Sequence, residues 1–65
     1  MLSLDEVTLI KKSYPTMHCS DVDFYKEYVT LQERKPDHIY ELGVGSGEWI
    51  IAMQECLDYK LWWIG

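Results

Sequence analysis

Three glycines at alternate positions, Gly43, Gly45 and Gly47, stand between a β-favouring run and a stretch of good helix formers. Residues without a β-carbon let a backbone turn at positive φ and approach a ligand closely. A glycine turn between a strand and a helix also places the free N–H groups and partial positive charge of a helix start beside that ligand. His38-Ile39-Tyr40-Glu41-Leu42 reads as the strand before the turn, and Glu48 to Leu57 as the helix after it, with Ile50, Ile51, Met53 and Leu57 on its buried face. Leu61-Trp62-Trp63-Ile64 is apolar throughout and predicts a second strand covered on both faces. Residues 38–65 therefore predict a β-α-β unit with a glycine-rich loop.

Residues 1–37 predict a helical segment. Ser3-Leu4-Asp5-Glu6 has the form of a capping box, in which the hydroxyl accepts a backbone N–H and the carboxylate three residues on reaches back. A helix follows from Leu4 to about Ser13, with Leu4, Val7, Leu9 and Ile10 as its apolar stripe, and Pro15 ends it. Ser20 caps a second helix over Asp21 to Arg34, with Val22, Tyr25, Tyr28, Val29 and Leu31 or Gln32 near a helical repeat. Lys35-Pro36-Asp37 marks the turn out of it. The expected fold class is α/β: two N-terminal helices, then a Rossmann-like β-α-β unit forming an incomplete doubly wound sheet.

The spacing G-x-G-x-G departs from the dinucleotide fingerprint G-x-G-x-x-G, since position 48 is Glu48, whose carboxylate would oppose a pyrophosphate. Glu41-Leu42-Gly43-Val44-Gly45-Ser46-Gly47 instead resembles the first motif of class I S-adenosylmethionine-dependent methyltransferases, E/D-x-G-x-G-x-G. The helix and strand behind it resemble that family's next elements in order and length, and the similarity covers about 28 residues. It implies a cofactor, S-adenosylmethionine, held by Glu41, Gly43, Gly45 and Gly47: the glycine loop against the methionine half, the acidic residue orienting it. In the family a second acidic residue, binding the ribose hydroxyls, falls at about the position after Gly65, and the later strands shape the acceptor pocket. An N-terminal fragment of such a methyltransferase, inactive by itself, is the expectation that follows. The alternative is a small acidic protein-binding module or inhibitor without catalytic activity.

Composition narrows the remaining classes. Eleven acidic against six basic residues give a net charge of −5, with the basic residues scattered, which argues against a nucleic-acid surface because phosphate neutralisation needs clustered Lys and Arg. No run approaches the roughly 18 to 20 apolar residues of a membrane span. Asp5 and Glu6 precede any basic residue, the wrong order for a signal peptide, so a cytoplasmic location is expected. Cys19 and Cys56 lack C-x-x-C spacing and are expected to be free thiols. His18-Cys19 offers no third orienting group, and His38 beside Asp37 lacks further ligands at metal-binding spacing, so no catalytic residue and no metal site are assigned. Trp62 and Trp63 are expected to place at least one ring in the core; an exposed ring or strand edge would offer a route to a homo-oligomer or a protein partner.

Overall fold

The computed structural model describes residues 1–41 and 47–64. Elements follow in the order α1 (Leu4–Lys11), α2 (Asp21–Arg34), β1 (His38–Tyr40), α3 (Glu48–Cys56) and β2 (Trp62–Ile64). The capping box at α1 is complete: Glu6 N–H donates to Ser3 Oγ (3.2 Å) and Ser3 N–H to Glu6 Oε1 (2.9 Å). That pair of bonds also holds the Glu6 carboxyl below its ordinary range, chiefly through the Ser3 backbone donor. At α2, Ser20 Oγ accepts from Asp23 N–H (3.1 Å), and the helix stops where Lys35 turns left-handed, one residue before Pro36.

The three helices make the core. Val7 of α1, Phe24 and Tyr28 of α2, and Ile50, Ala52 and Met53 of α3 are buried together. Burial of apolar surface at about 25 cal/mol per Å² is the main force holding so short a chain together. Two tyrosines tie down the N-terminus as well: Leu2 N–H donates to the Tyr28 hydroxyl (2.8 Å), and the Tyr25 hydroxyl donates to the Leu2 carbonyl (3.1 Å). Gln32, buried one turn beyond Tyr28, accepts from Asp58 N–H (3.2 Å), so its amide oxygen does not go unsatisfied.

The expected Rossmann-like unit and incomplete doubly wound sheet are overturned. Helices of 8, 14 and 9 residues dominate, whereas β1 and β2 have three residues each and form only a two-stranded parallel ribbon, in register His38 with Trp62, Ile39 with Trp63 and Tyr40 with Ile64. A doubly wound sheet is a layer covered on both faces. Here Ile39 alone is half-buried in β1, and every residue of β2 is exposed. Neither tryptophan enters the core: Trp62 is 59% and Trp63 40% exposed. Leu61, just before β2, is the residue of that apolar run that packs inward.

Helix faces also differ from expectation. On α2 the buried positions are Phe24, Tyr28 and Gln32, at four-residue spacing, while Val22 is exposed. On α1 Val7 is the buried residue, and Leu4 and Leu9 face outward. Among the described residues no helix is long and apolar enough to cross a membrane.

Both cysteines are free thiols, one half-buried and one buried. Burial, reinforced by the Glu55 carboxylate, pushes the Cys56 thiol up to about 11. Burial raises the Cys19 thiol as well, but Cys19 is only half-buried, so a thiol reagent at pH 8 is expected to label Cys19 slowly in the folded chain and to reach Cys56 only after denaturation. Peptide mass mapping reads the site, and equal labelling of both in the native chain would contradict a buried Cys56.

Candidate functional site

Glu41 leaves the ribbon immediately after β1, with its backbone N–H still donating to the Ile64 carbonyl (3.1 Å). The chain re-enters regular structure at Gly47, which caps α3 at φ 77°, ψ 11°. This left-handed geometry costs a residue with a β-carbon roughly 1–2 kcal/mol, and glycine adopts it freely. Glu48 follows in the first turn, where its charge suits the positive helix end, and its carboxylate accepts a hydrogen bond from the Thr16 hydroxyl. One residue on, the Trp49 ring meets Phe24 edge to face, centroids 6.3 Å apart at 77°.

A cleft of about 380 Å³ lies between these elements. Lys26, Glu27, Thr30 and Leu31 of α2 form one wall, Ile39, Tyr40 and Glu41 a second, and Trp49 a third. Its size falls in the range of about 300–1,000 Å³ typical of small-molecule sites. Thr30 turns its hydroxyl back onto the Lys26 carbonyl (3.0 Å), which leaves the wall beside it largely apolar.

Two carboxylates give the cleft its electrostatic character. Glu41 Oε2 is buried and has no hydrogen-bond partner among the described residues. Glu27 is raised above the ordinary carboxylate range, first by burial and then by the neighbouring charges of Glu41 and Asp23. Lys26 also borders the cleft but forms no ion pair among the described residues, where the ion pairs are Lys11–Asp21 and Lys35–Asp58.

Of the residues expected from the sequence to hold a cofactor, Glu41 lines the cleft and Gly47 is buried at the head of α3, while Gly43 and Gly45 lie outside the described residues. Trp49 both packs on Phe24 and lines the cleft. No motif marks Glu27, Thr30 and Leu31 as cleft residues, although their i, i+3, i+4 spacing puts them on one helix face. His18 and His38 are exposed, and among the described residues no group of three metal-ligating side chains comes together. Compared with protein-family models, curated proteins and solved structures, the chain matches none.

Proposed function

We propose that the cleft binds S-adenosylmethionine or a close analogue, and that the chain corresponds to the N-terminal, cofactor-holding part of a methyltransferase. The observation that carries this proposal is the buried Oε2 of Glu41, without a hydrogen-bond partner among the described residues, in the residue that opens the Glu41–Gly47 motif, at the wall of a ligand-sized cleft. A buried acceptor without a donor costs about 1–3 kcal/mol, and a ligand amine, hydroxyl or bridging water satisfies it. The residues present thus fit the polar half of the cofactor: Glu41 as acceptor, Gly47 as the tight entry to α3, Tyr40 and Trp49 as flanking rings.

The bound cofactor supplies an electrophilic methyl group for in-line displacement by a nucleophile. This chain's residues bind and orient it, and the 65-residue chain is proposed to bind without catalysing transfer. Two free thiols accord with a cytoplasmic site of action, where thiols stay reduced.

An amide NMR titration with S-adenosylhomocysteine, using NAD as control, tests the proposal. Selective shifts at Glu41, Gly43, Gly45, Gly47 and Glu48 are expected with the first ligand alone. A dispersed spectrum that ignores both ligands would remove the cofactor site.

Exposure of Tyr40, Trp62, Trp63 and Ile64 along the ribbon favours a second reading, a protein-docking module. Ile51 and Trp63 also line a cleft of about 260 Å³ between α3 and β2, away from Glu41. Sedimentation of the free chain at rising concentration separates the possibilities: a dimer lost on Trp63→Ser would favour self-association through the ribbon.

A further inference from the structure

Neither carboxylate of the cleft is in an ion pair among the described residues, although Lys26 lines the same wall. Glu27 comes from α2 and Glu41 from the end of β1, 14 positions later, so the fold alone brings them to one cavity. The charge of Glu41 raises the cost of ionising Glu27, second only to the burial of Glu27 itself. Lys26 on the same wall offsets one of the two charges, leaving an excess of one negative charge. Tyr40 and Trp49 add aromatic rings to the lining, and aromatic rings attract cations over their faces. Glu41 Oε2 is buried and has no donor among the described residues, and a cationic group would bring one.

We infer that the cleft selects ligands by positive charge, with Glu27 acting beside Glu41 as the second carboxylate that receives an ammonium or sulfonium group. This rests on the proposed cofactor site for the identity of an adenosyl ligand, but the charge selection is testable apart from it. A neutral relative of the same shape leaves both carboxylates unpaired and forfeits the charge-assisted contacts.

The experiment compares the intact chain with Glu27→Gln in amide NMR titrations. Glu27 is not among the core residues, and although burial weighs on its carboxyl the residue as a whole keeps contact with solvent, so the variant is expected to keep its fold, which its own spectrum checks. The probes are S-adenosylmethionine, the neutral nucleoside 5′-methylthioadenosine, and a pair without adenosine, n-butylammonium and n-butanol. S-adenosylmethionine is expected to weaken roughly tenfold in the variant, an ordinary effect for losing one charged partner. 5′-Methylthioadenosine should bind both forms equally, and n-butylammonium should shift the Glu27 and Glu41 amides in the parent chain far more than n-butanol does. Equal affinity of both forms for S-adenosylmethionine, or equal shifts from the alcohol and the ammonium, would overturn the inference. Binding of n-butylammonium without either adenosyl ligand would uphold charge selection while removing the cofactor proposal; no response to any probe would remove both.

Discussion

Replacing Phe24 by alanine is expected to leave the chain largely unfolded at 25 °C. Phe24 has no exposed surface and lies on the buried face of α2, with its ring against Trp49 of α3. Truncating a buried phenylalanine costs about 3–5 kcal/mol, the lost transfer energy plus the cavity left behind. A core in a chain below about 70 residues rarely provides a net stability above 3–5 kcal/mol. The loss therefore matches the whole margin, and the expected outcome is a collapsed amide spectrum without a cooperative thermal transition. Val22→Ala, on the same helix but 51% exposed, should change stability by no more than about 0.5 kcal/mol. A Phe24→Ala chain with full spectral dispersion and an unchanged melting temperature would show that α2 does not anchor the core.

That contrast between Phe24 and Val22 marks where the sequence stops being informative. The ends of α2 are legible because they are local chemistry: a serine that can cap, and Lys35-Pro36 beyond the last turn. Its buried face is less so, because Val22, Phe24, Tyr25, Tyr28, Val29 and Leu31 spread apolar surface around most of the helix, and the neighbours α1 and α3 decide which part is covered. Trp62-Trp63-Ile64 shows the same limit at the level of fold. An all-apolar run reads as a strand between two layers, but covering it requires residues from elsewhere, and the described chain places them around Leu61 instead. The helix-dominated architecture follows, with the ribbon beside the core rather than at its centre. For the cleft, Glu41 is legible from the glycine spacing behind it, whereas Glu27 reaches the same space only because the fold sets α2 and residues 39–41 on two walls of one cleft.

Glu41→Gln is expected to weaken an adenosyl ligand by about 10- to 100-fold, since hydrogen bonds to a charged group are worth about 1.5–3 kcal/mol and each 1.4 kcal/mol is tenfold. The fold should persist. The structural role of residue 41 runs through its backbone N–H to the Ile64 carbonyl, which the substitution leaves in place, and the carboxylate oxygen removed has no partner among the described residues. A second readout distinguishes a site residue from a residue that merely fails to matter. Burial first, then the charge of Glu41, raises Glu27 from its ordinary value of 4.5. A carboxyl raised in the folded state makes stability fall as pH rises from the unfolded value through the folded one, because the native state holds the proton longer. Neutralising residue 41 removes one cause of that rise. Carbon-detected titration of the Glu27 carboxyl should therefore show a lower midpoint in Glu41→Gln, and the variant should gain stability relative to the parent at neutral pH but not at pH 3. A variant with parental ligand affinity and an unmoved Glu27 midpoint would mean that the two carboxylates do not share the cleft. Weaker binding together with a lowered midpoint would mean that the same neighbouring charges that burden the free protein are the ones its ligand satisfies.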